Sequence, residues 1–252
     1  MTRILLVDDH PTVASHIRQL FGDVDVCRDI RQLARAIEDG GEWAAAFIDF
    51  DLSGVAAEHE RTGLSALRLL MQARPQTRRI AYTTLSDNGR TLYAVAAYRW
   101  LDTAVVLDKA SDESALRAAA SPHGANPTPR AWQTKLSQHA HLIDHLFAKY
   151  NWLALWRIWR QYDGSIRAIG DHLQPGTGNT RNSVLVFSRE ATSAMTAFRE
   201  AFYGSRPTTY ERGNSALATP LVAFADANDK FFNAPDLQDV LDVAKPWNRV
   251  KG

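Results

Sequence analysis

The stretch "RILLVDDHPT", residues 3–12, sets two carboxylates, Asp8 and Asp9, directly after four apolar residues. Like charges that close repel, so the pair calls for a cation, a special environment or free solvent. Three further residues share the same placement behind a short apolar run. Asp49 stands in "FIDFDLSG", Thr83 in "IAYTTLSD" and Lys109 in "VVLDKAS". Carboxylates that leave water positions open suit Mg²⁺, a hard ion that takes few protein ligands. Such an ion relieves the repulsion in the acid pair and screens an incoming phosphoryl group. Asp49 could then act as a nucleophile and form an acyl phosphate. Lys109 and the Thr83 hydroxyl would meet phosphoryl oxygens.

These residues work together only if the fold brings them to one place. The first 120 residues alternate short apolar runs with helical patterns. The runs are Ile4–Val7, Val24–Cys27, Ala44–Ile48, Ile80–Thr84 and Ala104–Leu107. The helical patterns are Val13–Phe21, Ile30–Ile37, Leu64–Met71, Leu92–Trp100 and Glu113–Ala120. Five such alternations predict an α/β domain with a parallel sheet covered on both faces. In open sheets of this kind ligands bind outside the carboxyl ends of the strands. Asp8, Asp9, Asp49, Thr83 and Lys109 all fall at that edge.

The ordered set of acid pair, Asp, Thr and Lys, each after its own strand, resembles the receiver domain of bacterial two-component response regulators. The resemblance covers residues 3–120 and implies a flavodoxin-like, doubly wound five-stranded parallel sheet. It implies that Asp8 and Asp9 hold Mg²⁺ together with Asp49, and that the backbone carbonyl of Asp51 completes the metal shell. It makes Asp49 the phosphoacceptor, Thr83 the hydroxyl that follows the phosphoryl group, and Lys109 its cationic partner. A sensor histidine kinase is the implied phosphoryl donor. The sequence departs from the family pattern at several points. Ser53 and Ala110 stand where proline is common. The glycine expected eight residues after the acceptor falls at Gly63, about six residues late, after "SGVAAEHERTG". Val106 occupies the switch position, where an aromatic ring is usual, and a valine cannot make that ring's rotation. The phosphorylation chemistry is therefore expected to be intact while signal transmission uses other groups. Control independent of phosphorylation stays open as an alternative.

"SPHGANPTPR", residues 121–130, carries three prolines and no apolar run, and reads as a linker. Residues 131–252 then show helical spacing almost throughout and are expected to form an all-α output domain. The halves also differ in charge. Residues 1–129 carry 14 Lys and Arg against 17 Asp and Glu, whereas residues 130–252 carry 15 against 11. A weakly basic second half points toward a polyanionic partner. Residues 155–190 read as a helix, a "DG" break, a short helix Ser165–Leu173, a Gly/Pro turn and a helix opening near Asn179–Thr180. That is a helix-turn-helix pattern, which presents the start of its second helix to DNA base edges. Thr180, Arg181, Asn182 and Arg189 are the expected contacts. Arg167, with Arg157 and Arg160, would meet phosphates. The competing reading is a plain helical hairpin in a regulator that binds a protein partner and no DNA.

Trp152, Trp156 and Trp159 fall at helical spacing and read as core. His139, His141 and His145 lack a metal-ligand pattern and read as surface. A helix over Trp132–Tyr150, with Trp132, Leu136, Ile143 and Phe147 near one face, is the expected homodimer contact. Residues 131–252 offer no nucleophile–base set, so an enzymatic output is not expected. The single cysteine, Cys27, the lack of any long apolar run and the acidic N-terminus predict a cytoplasmic protein with no membrane span.

Overall fold

In the computed structural model, residues 3–52, 62–86, 88–122, 124–148, 152–173, 178–204 and 214–250 are described. The chain forms two compact units. One holds residues 1–137 and 234–244; the other holds 138–233 and 245–252.

The first unit is a five-stranded parallel sheet of order β2-β1-β3-β4-β5, the flavodoxin-like arrangement. Its strands are β1 (Ile4–Val7), β2 (Val24–Cys27), β3 (Ala45–Ile48), β4 (Arg78–Thr83) and β5 (Val105–Asp108). The helices between and after them are α1 (Pro11–Phe21), α2 (Ile30–Glu38), α3 (Gly63–Ala73), α4 (Thr91–Trp100) and α5 (Glu113–Ala120). Every residue of β1 and β3 is buried, as expected for central strands covered on both faces. Ile4, Leu6, Phe47, Ile80, Tyr82, Val105 and Leu107 point to one face and pack with Ile17 and Leu20 of α1 and Leu116 of α5. The pleat sends the alternate residues to the other face. Helix starts are set locally: Pro11 opens α1, Asp29 caps α2 at the Gln32 amide, and Asp112 caps α5 at the Ala115 amide.

The open edge of β5 is covered by the chain's own next segment. The Val106 amide donates to Thr128 Oγ1 at 3.0 Å, and the Asn126 side chain reaches the Ala104 carbonyl at 3.4 Å. An unpaired edge is a template for unwanted pairing, so the stretch read as a linker closes the sheet. Helix α6 (Arg130–His139) follows, and its residues to Ser137 belong to this unit.

Residues 234–244 also belong here, although they read as part of the helical half. Asp236 is buried and accepts from the Thr62 amide (2.8 Å) and the Thr62 hydroxyl (3.1 Å), at the cap of α3. Helix α13 (Leu237–Ala244) then packs on α3, with Arg68 and Asp239 paired at 3.7 Å.

The second unit is helical: α7 (Leu142–Leu146), α8 (Trp152–Gln161), α9 (Ile166–Leu173), α10 (Gly178–Tyr203), α11 (Asn214–Ala227) and α12 (Asp229–Phe232), with a 3₁₀ turn at Pro246–Asn248. The helix expected over Trp132–Tyr150 is two helices instead. Of the face expected to meet a second copy, Leu136, Ile143 and Phe147 are buried within the chain and Trp132 is half-buried. The tryptophans are core. Trp152, Trp156 and Trp159 each set a ring against Phe187 at 5.0–5.7 Å, and Trp156 stacks on Phe232 at 4.8 Å. Among the described residues no helix is long and apolar enough to cross a membrane.

Candidate functional site

The ladder hydrogen bonds run one residue past the strands and so fix the residues that follow them. The Asp8 amide donates to the Cys27 carbonyl, Asp49 to Val7 and Lys109 to Thr83, all at 3.0–3.1 Å. Asp8, Asp49 and Lys109 thereby arrive side by side at the carboxyl edge. Lys109 Nζ lies 2.7 Å from Asp49 Oδ2 and 2.9 Å from Asp8 Oδ2. The His10 amide donates to Asp8 Oδ1 at 2.9 Å, and the Phe50 amide to Asp49 Oδ1 at 2.7 Å. Asp9 lies beside them, with Oδ1 3.2 Å from His10 Nδ1.

The electrostatics match this crowding. Burial pushes the Asp8 carboxyl up from its ordinary value, and the neighbouring Asp49 charge adds to the rise. The Lys109 ammonium and the His10 amide oppose it. Burial works against the Lys109 charge, yet Asp49 and Asp8 outweigh it and hold the ammonium above its usual range. The resting site is thus a lysine held between two buried acids.

Thr83 is fully buried, and its hydroxyl has no hydrogen-bond partner among the described residues. A buried hydroxyl without a partner costs about 1–3 kcal/mol, so the Thr83 hydroxyl is available to a ligand at this edge. The donor set is mainly carboxylate oxygen. Asp8 and Asp9, with His10, place ligand atoms within 4.8 Å of one another. Carboxylates of this kind fit a divalent ion such as Mg²⁺.

Gly63 shows why a glycine is needed here. A Cβ on it would lie 1.9 Å from the Asp49 carbonyl oxygen, so only glycine lets α3 start against the Asp49 backbone. The extended segment expected between Ser53 and Gly63 lies otherwise outside the described residues.

Three contributors escaped the sequence reading. Asp108 ties the loops after β4 and β5 together by accepting from the Leu85 amide (2.7 Å) and the Ala110 amide (2.8 Å). The Tyr82 hydroxyl donates to the Lys109 carbonyl at 3.3 Å. Arg90, at the end of a 3₁₀ turn (Asn88–Arg90), reaches Asp51 Oδ2 at 2.8 Å and Asp49 Oδ1 at 3.8 Å. An "x-Asp-Lys" at the end of β5 was a usable signal for Asp108. Nothing in the spacing marked Arg90. Val106 is buried in β5 and pinned through its amide to Thr128.

In the helical unit, Asn182 and Arg189 are exposed on α10 and Arg167 is exposed on α9, 3.9 Å from Asp171. Thr180 and Arg181 lie in the first turn of α10, and their side chains fall outside the described residues. Arg157 and Arg160 are engaged inside the unit. Arg157 donates to the Phe232 carbonyl, and Arg160 pairs with Asp226 and Asp229. Helix α10 also differs from a short recognition helix. It runs from Gly178 to Tyr203 and buries Val184, Phe187, Ala191, Met195 and Phe198.

No protein-family model matches the chain, and no curated protein matches it. Several solved structures resemble it. A response regulator from Burkholderia pseudomallei, with a phosphorylated aspartic acid, a calcium ion and citrate, is 16% identical. It covers 69% of this chain and 92% of its own, with a TM-score of 0.39. RcsB from Salmonella enterica serovar Typhimurium, bound to promoter rprA with the phosphomimetic BeF₃⁻, is 14% identical over 88% and 98% of the two chains, with a TM-score of 0.46. A structure of two RcsB dimers on two parallel DNAs is 16% identical over 90% and 98%, with a TM-score of 0.49. At such distances, functional assignments stand on this chain's own residues.

Proposed function

We propose that this chain is a two-component response regulator. Its α/β unit takes a phosphoryl group on Asp49 from a sensor histidine kinase, and its helical unit is a DNA-binding output that regulates transcription. The observation that carries the reading is the buried Asp8–Lys109–Asp49 cluster, with a Thr83 hydroxyl that has no partner among the described residues. Asp8, Asp9 and Asp49, with the Asp51 carbonyl, would hold Mg²⁺, which when bound screens the charge of the incoming phosphoryl group.

The chain's own residues do the rest. An Asp49 carboxylate oxygen attacks phosphorus. The bond to the donor breaks, and the leaving group keeps the electron pair, as acetate from acetyl phosphate or as a histidine nitrogen from a kinase. Lys109 stays at the acceptor and faces the charge that develops on the phosphoryl oxygens. Thr83 gains an acceptor for its proton. Phosphorylation then shifts a two-state equilibrium of the chain, with a second copy as the expected partner. The test is phosphate incorporation from labelled acetyl phosphate with Mg²⁺. One phosphoryl group per chain is expected, lost in Asp49→Asn; equal incorporation in that variant removes the acceptor assignment.

For the output, the exposed face offers Asn182 and Arg189 on α10 and Arg167 on α9, with Thr180 and Arg181 in the first turn of α10. Selection of genomic DNA fragments by the full chain, with and without BeF₃⁻, should enrich a few sites. The enrichment should weaken in Arg181→Ala and fall steeply with added salt, as phosphate contacts require. A second reading, a regulator that docks on a protein and touches no DNA, is favoured by one observation: Arg157 and Arg160 are spent on internal partners. A folded, phosphorylated chain that enriches no DNA would remove the DNA-binding output and favour that second reading.

A further inference from the structure

We propose that Arg90 is the phosphoryl sensor of this receiver, leaving Asp51 for the modified Asp49 and carrying the signal into α4. The proposal rests on the reading of Asp49 as acceptor and assigns a role to a residue outside the expected set.

Three observations meet at Arg90. First, the two oxygens of Asp49 face different cations. Oδ2 is held by Lys109 at 2.7 Å, and Oδ1 faces an Arg90 nitrogen at 3.8 Å. Second, Arg90 makes a close contact, 2.8 Å, with the carboxylate of Asp51, two residues away from the acceptor. Asp51 is half-buried, while the Arg90 guanidinium is mostly buried. Third, Arg90 ends the 3₁₀ turn Asn88–Arg90, and the next residue, Thr91, begins α4. A displacement of its guanidinium is therefore applied at the first turn of that helix.

The chemistry gives the direction. A phosphoryl group on Asp49 brings close to two negative charges and three acceptor oxygens. A guanidinium matches such a group through its planar fork, and the pairing is stronger than one with a single carboxylate. An arginine already within 4 Å of the acceptor needs only a side-chain rotation to change partners. The Val106 position cannot supply a rotating ring, and its amide is pinned to Thr128. Arg90 provides a two-position element where that ring is missing.

The test uses the full chain with Mg²⁺ and BeF₃⁻ as the probe. Affinity is read from the ¹⁹F signal of bound BeF₃⁻, and backbone hydrogen exchange is followed over residues 88–95. In the unsubstituted chain BeF₃⁻ should bind and change exchange over the start of α4. Arg90→Ala should weaken binding by about tenfold to a hundredfold, the range for a lost charge-assisted hydrogen bond in a buried site. It should also abolish the BeF₃⁻-dependent change, and Arg90→Lys should restore part of the affinity. A purely structural Arg90 would alter exchange equally with and without BeF₃⁻, so the difference between the two conditions is the readout. Arg90→Gln serves if the alanine variant does not fold. Unchanged affinity and an unchanged exchange response in these variants overturn the proposal while leaving Asp49 as acceptor. Weakened affinity with an intact exchange response overturns the transmission role. A folded unsubstituted chain that binds no BeF₃⁻ overturns both this proposal and the acceptor reading.

Discussion

The carboxyl edge of the sheet and the centre of the helical unit are both buried, but they are built on opposite principles. At the sheet edge, a lysine that follows one strand lies within 3 Å of two acids that follow two others, and a threonine hydroxyl has no partner among the described residues. In the helical unit, aromatic rings fill the same kind of interior with apolar area: Trp156 alone meets Phe187, Phe224 and Phe232. The first interior is built around charge. The second is built mainly of aromatic area, with Asp144, Ser188 and Thr192 among its buried polar exceptions. A site for chemistry needs the first kind, because charged groups gathered at one place can meet a charged ligand there.

Substitutions can press on that contrast. The largest effect is expected from Trp156→Ala, which empties an aromatic-sized volume and should cost about 4 kcal/mol. Urea unfolding should find that loss the same at pH 5 and pH 8. Lys109→Ala comes next, at about 3 kcal/mol near neutral pH, because it leaves Asp8 and Asp49 buried without their cation. Its deficit should depend on pH, with a definite sign. The Asp8 carboxyl is already raised in the folded state, and losing the ammonium raises it further. A carboxyl raised on folding stabilises the protein below its unfolded value of 3.8, and that contribution is lost as pH rises through the folded value. The Lys109→Ala deficit should therefore shrink on acidification, and a pH-independent deficit would contradict the charge-built description. The smallest effect, about 2 kcal/mol, is expected from Asp236→Ala, which removes the acceptor that braces Thr62, the capping residue of α3. Faster hydrogen exchange in the first turn of α3 would report it.

The part of the site that could be read in the sequence is the part that strand ends determine. Asp8, Asp9, Asp49, Thr83 and Lys109 each follow an apolar run, and a parallel sheet sends all such positions to one edge. Arg90 could not be read that way. It lies seven residues beyond Thr83, in a turn with no periodicity to place it. The limits of helical periodicity show in the second half as well. Leu237, Val240, Leu241 and Ala244 reveal an apolar face, but a periodic face does not say what covers it, and α13 proved to lie on α3. The helical spacing there also hides a break between α11 and α12 at Asn228, whose side chain turns back to the Phe224 carbonyl at 2.9 Å. Asparagine's taste for helix ends made that break legible in principle. The long helix expected over Trp132–Tyr150 gave no such warning, since its apolar spacing runs unbroken through Ala140.

The return of residues 234–244 to the α/β unit changes the polymer physics of what lies between. Residues 138–233 leave the sheet domain and come back to it, so they form a loop closed at both ends by folded structure. When such a segment unfolds while its ends stay anchored, its chain has fewer conformations to gain than a free tail would have. The penalty on the unfolded state grows with the logarithm of loop length, the same entropy that a long disulfide loop exploits. Cutting the chain after residue 137 does not separate two whole modules. It leaves a sheet domain without α13 and without the Asp236 cap, and a helical segment that has lost the closure of its loop.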